Sequence, residues 1–594
     1  MKKLFLIFIL VAFACWATPP KLAKELAGAS GNATVPVIVQ WQHPPGAEHD
    51  SKIAALGGST KVHLQSVKGG LYNVPATALN TLANDPEVVY ISPDRPIAVK
   101  LDNTAAAINA SASWSAGLTG SGIAVAVIDS GVNNDPNLAG GHPPLYTYDF
   151  TQPSAAQAAA SALAYTSGPL PAGSHPVPGT PAPDQFGHGQ HVAGIIASNG
   201  QASTCNSCTR KFKGVAYGAS IVDLKVLDAN GQGSDSNVIL AIDTAIALKN
   251  IYNIRVINLS IGHPVFDSYT SDPLCQAVEA AWKAGMVVVA AAGNDGRDNT
   301  FGEQGYGTIN TPGNDPYIIT VGAMKTEGTY TRSDDLIASY SSKGPTAVDH
   351  VAKPDLVAPG NLVVSLLAQN STLVNQNPAN TVAQSYYETV NGPAASQPSK
   401  NYFILSGTSM AAPVVSAAAA DLLQANPSLT PDQVKAILME TAYKTLPQSS
   451  SVTDPVSGQI FTDYYDLFTV GAGYLDLGAA MALVNTPTAA GTAMSPVAQY
   501  DPTSGDVSLA FDASSIWSNR TMWGARTMWG AQSVWGASVL NTNQVIWDSR
   551  TMWGSSGTAG ADAIWGSRTM WGASTSTSSS RTMWGASITI TGEK

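Results

Sequence analysis

An α/β fold around a buried, mostly parallel sheet is predicted for residues 101–484, with a small α+β unit before it and a β-type repeat tail after it. Three observations predict it. The short β-branched runs at 123–128, 221–226, 256–259 and 286–291 are apolar almost throughout rather than alternating, as expected of strands covered on both faces. Amphipathic stretches at 236–249 and Pro273–Lys283 lie between them, and strand–helix alternation implies parallel strands joined by helical crossovers. The composition shifts on either side of this region, which sets its limits.

The chain has 594 residues, too many for one compact core. Charged residues make up 12% and apolar residues 44%, a balance that suits packed, loop-rich domains and excludes disorder throughout. The net charge of −11 is mild for this length and no Lys/Arg-rich run occurs, so nucleic acid is excluded as a partner.

Residues 1–17 read as a secretory signal. Lys2 and Lys3 precede an apolar run from Leu4 to Phe13, and Ala14 and Ala17 offer small residues for cleavage. Cys15 raises lipid anchoring as a minor alternative, against which Ala12 stands where a branched apolar residue is wanted. No later segment is apolar enough to cross a bilayer, so the mature protein is expected outside the membrane. Residues 18–100 read as the α+β unit, with strands at 35–41 and 88–91 and helical patterning around 76–83.

Within 101–484 the Pro/Ala/Gly-rich stretch 140–183 reads as a long surface excursion. Cys205 and Cys208 sit in a polar loop; one Cys-x-x-Cys without a second pair is a weak zinc signal, and a local disulfide is favoured. Cys275 falls on an apolar helix position and reads as a buried thiol. Residues 485–511 read as a linker.

Residues 512–594 hold a repeat. Arg-Thr-Met-Trp-Gly begins at Arg520, Arg526, Arg550, Arg568 and Arg581, and successive Trp residues from Trp517 to Trp571 are six or twelve apart. A six-residue step turns a helix by about 240°, which scatters these residues, but keeps them on one side of a strand. The tail is therefore expected to be β in character and to stay clear of the chemistry. Trp side chains filling the tail's own core are favoured over an exposed platform for cell-surface glycan.

Three segments carry reactive side chains. An apolar strand runs into Asp129-Ser130-Gly131, placing the carboxylate at the carboxyl edge of the sheet, where open α/β folds gather their ligands. His188 stands among glycines in 184–194, before a helical stretch. Ser409 lies in Ser406-Gly-Thr-Ser-Met-Ala-Ala-Pro413, at the start of a helix whose dipole favours developing negative charge. Singly, these are a turn residue, a structural His and a helix cap. Together they supply a nucleophile, a base and an orienting carboxylate.

The order Asp, His, Ser, with DSG at 129–131, GHGQHVAG at 187–194, AAGN at 291–294 and GTSMAAP at 407–413, closely resembles the subtilisin-like serine peptidases. INLSIG at 257–262 and KPDLVAPG at 353–360 fit the same pattern. The resemblance implies a serine endopeptidase acting through an acyl-enzyme, with protein or peptide substrates and no cofactor for the chemistry. It implies that Asp129 orients the ring, His188 moves the proton, Ser409 attacks and Asn294 supplies the oxyanion amide. Gly233 and Ser260-Ile261-Gly262 correspond to the two backbone edges that clamp an extended substrate, and Ala291, Ala292 and Gly293 to a wall of the P1 pocket. His191 would be structural. Residues 18–100 resemble the inhibitory propeptide, removed autocatalytically near 97–105. Calcium sites are common in that family, but no ligand cluster is assignable. Gln190 departs from the pattern, which usually has Thr between the histidines. A catalytically idle domain, or another acyl-enzyme chemistry such as ester hydrolysis, is the competing reading.

Overall fold

The computed structural model describes residues 21–23, 26, 33–64, 68–93, 100–101, 103–138, 143–152, 179–299, 304–389, 397–454, 457–486, 491–500, 507–516, 585–586 and 592–593. The signal segment with Cys15, most of the 140–183 excursion and nearly all of the Trp repeat lie outside these residues. The chain divides into two compact units between Ala98 and Val99.

The first unit is an antiparallel sheet of β1 (Thr34–Trp41), β2 (Ser59–Leu64), β3 (Gly69–Pro75) and β4 (Val88–Pro93), in the order β2-β3-β1-β4. Helices α1 (Ala47–Ala55) and α2 (Leu79–Ala83) complete it. Its core gathers Val37, Val39 and Trp41 with Ile53, Tyr72, Leu79 and Ile91. The sequence reading found β1, β4 and the helix near α2 but missed β2, β3 and α1; the exposed Ser-Thr-Lys of β2 and the Gly-Gly opening β3 lack strand patterning.

The second unit is built on an eight-stranded sheet. Its strands are β5 (Ala124–Asp129), β6 (Tyr146–Asp149), β7 (Ser220–Lys225), β8 (Ile254–Leu259), β10 (Val287–Ala291), β12 (Ile319–Lys325), β13 (Leu336–Ile337) and β14 (Leu356–Pro359). The order is β13-β12-β10-β8-β5-β7-β6, with β14 also paired to β12. All pairs are parallel except β12 with β13. Every residue of β5 and β10 is buried, so both faces of the sheet are covered, as the continuous apolar runs require. Two short strands lie apart from it, β9 (Ile261–Pro264) and β11 (Asn310–Thr311), paired antiparallel.

Helices α3 (His188–Ala197) and α6 (Thr408–Ala425) pack on each other, as do α4 (Asp235–Tyr252) and α5 (Pro273–Lys283). α6 is buried from Thr408 to Leu423 and rests on β8, β10 and β12. Its Ala417–Ala420 run lets the backbone lie close to the sheet without leaving a void.

The stretch expected as a linker is corrected by the structure. Val497–Tyr500 and Val507–Ala510 form an antiparallel hairpin, Ala493 and Ala498 join the main core, and so does Ile516 from the stretch read as tail. The stretch is Gly- and Pro-punctuated, which reads as loop, yet its few apolar residues dock on a surface that only the folded unit provides.

Candidate active site

Asp129 ends β5 and His188 opens α3. Asp129 Oδ1 accepts from His188 Nδ1 at 2.7 Å and from the Ser130 backbone N–H at 2.7 Å. Asp184 builds this corner. Its carboxylate accepts from the N–H groups of Phe186, Gly187 and Gln190 and from Ser130 Oγ. Ser130 Oγ in turn accepts from the Gly189 N–H at 2.9 Å. One buried carboxylate thus ties the residue after Asp129 to the turn that carries His188; burial pushes its titration up despite these bonds.

Gln190, the departure from the family pattern, accepts from the Asn133 N–H at 2.8 Å and donates to Asp135 at 3.1 Å. Its longer side chain reaches a loop beyond Asp129 that a Thr would leave unbonded. His191 bonds through Nε2 to the carbonyls of Val363 and Phe403, and burial lowers it to about 3. It stays a neutral strut between segments.

Ser409 is the second residue of α6, whose N-cap Gly407 has φ 143°, a conformation only glycine adopts without strain. Pro413, four residues on, has no N–H, so the Ser409 carbonyl loses its helical partner. The Ser260 hydroxyl replaces it, donating at 2.8 Å. The sequence of GTSMAAP thereby creates a free acceptor beside the nucleophile, and the sheet edge fills it. Ser416 donates to Asn258 and Asn258 to Ser260, extending this buried relay. These two positioning residues went unassigned in the sequence, although Asn258 lies in INLSIG.

Ser409 Oγ donates to the Ser260 carbonyl at 2.8 Å. His188 Nε2 is buried and has no hydrogen-bond partner among the described residues. The Asp129–His188 pair is therefore formed, and the serine is turned toward β9.

Asn294 follows β10. Its side-chain carbonyl accepts from the Thr408 N–H at 2.9 Å and from Thr408 Oγ1 at 3.2 Å, which fixes the amide orientation. Its Nδ2 is left buried without a partner among the described residues. Gly293 (φ 112°) makes the turn possible, since a Cβ there would sit 2.8 Å from Asn310 Nδ2. Ala291 closes β10, and Ala292 bonds to β12 and β11.

Ile261 and Gly262 lie on β9, with Ser260 just before it. Gly233 lies in the turn before α4, outside any strand. The tail, expected to stay clear, reaches this edge: Gly585–Ala586 (β15) pairs antiparallel with β9, Ala586 opposite Ile261 and Gly585 opposite Gly262. Cys205 and Cys208 form a disulfide, and Cys275 is a buried free thiol donating to Asn314. Among the described residues no three His, Cys, Asp or Glu side chains converge as metal ligands.

The subtilase family model matches residues 120–472, more than half of the chain. Serine protease AprX of Bacillus subtilis (strain 168) is 34% identical over 333 residues, covering 54% of this chain and 61% of that protein. Subtilisin E of the same strain is 30% identical over 402 residues, covering 67% and 81%. The extracellular serine proteinase of Thermus sp. (strain Rt41A) is 29% identical, covering 66% and 76%. A crystal structure of a cold adapted subtilisin-like serine proteinase aligns at 27% identity over 55% of this chain and 85% of that one, with a TM-score of 0.36. The chain belongs to the subtilase family and is a serine-type endopeptidase.

Proposed function

We propose that the chain is a secreted endopeptidase that hydrolyses peptide bonds through Ser409, His188 and Asp129. The observation that carries this reading is that His188 Nε2, on the ring held by Asp129, and Asn294 Nδ2, on the amide held by Thr408, are both buried without a partner among the described residues. A buried donor or acceptor left unpaired is costly, and substrate chemistry completes both.

In this reading Ser409 Oγ turns from the Ser260 carbonyl to His188 Nε2 and attacks the peptide carbonyl carbon as its proton passes to the ring. Asp129 holds Nδ1–H and so fixes the ring with Nε2 facing the serine. Asn294 Nδ2 donates to the oxyanion of the tetrahedral intermediate. The C–N bond breaks as Nε2 returns the proton to the leaving amine, giving an acyl-enzyme. Water, deprotonated by the same nitrogen, then releases the acid and restores Ser409.

The first unit acts as the propeptide, cut autocatalytically near 97–105 and inhibitory afterwards. Its antiparallel sheet and two helices form a compact body of their own, which supports this reading. Secretion follows from the 1–17 segment. The small side chains of Ala291, Ala292 and Gly293, taken as a wall of the P1 pocket, support a preference for large apolar residues at P1.

Mass spectrometry of the secreted protein after fluorophosphonate treatment tests these statements together. The expected result is label on Ser409 and a mature N-terminus near 97–105; label on another residue would refute the triad.

A further inference from the structure

β15 lies where the proposed reaction needs a substrate. A peptide clamped by strand addition pairs with Ile261 and Gly262, and both are already paired with Ala586 and Gly585. The polarity also matches. Antiparallel to β9, β15 runs toward Ser260, whose carbonyl accepts from Ser409 Oγ, so it approaches the nucleophile with its acyl side leading.

A second contact, seven residues on, holds the same segment. Glu593 is buried, 5% exposed. Its carboxylate pairs with Arg297 at 2.8 Å and Lys325 at 3.5 Å, and accepts from both the N–H and the hydroxyl of Ser339. Asn361 bonds the Glu593 backbone twice, donating to its carbonyl at 2.7 Å and accepting its N–H at 2.8 Å. Gly592 lies against Ser406, three residues before Ser409, where a Cβ would fall 2.4 Å from the hydroxyl. This is a built socket of charge and backbone bonds specific for an acidic residue.

We propose that the tail closes the active site in cis. Gly585–Ala586 takes the place of the substrate strand on β9, and the Arg297–Lys325–Ser339–Asn361 socket holds Glu593 as its anchor. This rests on Ser409 being the nucleophile of the reaction proposed above. A tethered strand needs little affinity of its own, because the tether supplies an effective concentration of about millimolar.

The test compares the chain, its tail verified by intact mass, with Glu593→Ala, Glu593→Gln and a form lacking residues 585–594. The readouts are KM and kcat on a short chromogenic peptide and the rate of fluorophosphonate labelling of Ser409. Each change is expected to lower apparent KM by about tenfold or more with kcat held, and to speed labelling. A synthetic peptide of residues 585–594 should compete with substrate on the truncated form, and its Glu→Ala version more weakly. Equal KM and equal labelling rates in all forms would overturn the proposal, as would a peptide inert at about 1 mM. Absence of label in every form would instead remove Ser409 as nucleophile, and this proposal with it.

Discussion

Two buried polar regions of the second unit are built in opposite ways. Around Lys353, Asp355 and Lys435 the charges answer one another: Asp355 pairs with Lys353 at 2.7 Å and Lys435 at 3.1 Å. Lys435 also donates to the carbonyls of Pro316, Tyr317 and Ile318 and to Ser495, and the Thr320 N–H donates to Asp355. Burial alone would raise Asp355, but the two ammonium groups hold it below the usual carboxylate range. Around His188 and Asn294 a ring nitrogen and an amide nitrogen are left open. The difference separates a cluster whose charges are answered within the fold from the proposed site, where His188 and Asn294 are each held through one atom and left without a partner at another.

The largest effect expected from breaking this comparison is at the open corner. Ser409→Ala should cost on the order of 10⁶ in kcat while leaving the chain folded; retained turnover with unchanged circular dichroism would show that another residue attacks. The closed cluster should fail in stability instead. Asp355→Asn strands two buried ammonium groups and is expected to cost about 3–5 kcal/mol in denaturant unfolding, with little change in kcat for the molecules still folded.

Asn294→Ala removes the amide proposed to donate to the oxyanion. A drop in kcat of about 10²–10³ with KM nearly unchanged is expected, and a loss under about tenfold would assign the oxyanion to another group. Its stability should hold, which separates it from Asp355.

The smallest effect sharpens the boundary. Asp315 is buried with Oδ2 unpartnered among the described residues, and burial pushes it up to about 7. The folded state therefore holds this proton more tightly than the unfolded state, so its contribution is present below about pH 4 and is lost as pH rises toward about 7. Asp315→Asn should raise the melting temperature above pH 7 and give no gain near pH 4. An equal gain at both pH values would mean that the group does not titrate in this range.

Much of the candidate site was legible because its signals are local. Asp129, His188, Asn294 and Ser409 each sit at a strand end or helix start marked by neighbouring glycines, and the main strands of the sheet lie within two residues of their apolar runs. Asn258, Ser416 and Asp184 were not assigned roles, because each acts through a partner remote in the chain. The same holds for Lys353 and Asp355 within KPDLVAPG. The motif can be read, but not the fact that Lys435 completes it.

The sequence by itself determined the covered parallel sheet and singled out Asp129, His188 and Ser409 as the candidate set. Those follow from periodicity, glycine placement and the order of short motifs, all local properties of the chain. Only the tertiary structure decided that Ala493 and Ala498 join the core, that Ser260 answers the Ser409 carbonyl left open by Pro413, and that Gly585–Ala586 pairs with β9 while Glu593 sits in its socket. Two glycine- and alanine-level backbone pairs and one acidic side chain carry no periodic signal. Their meaning comes from surfaces made by residues hundreds of positions away, which exist only once the sheet and α6 have folded.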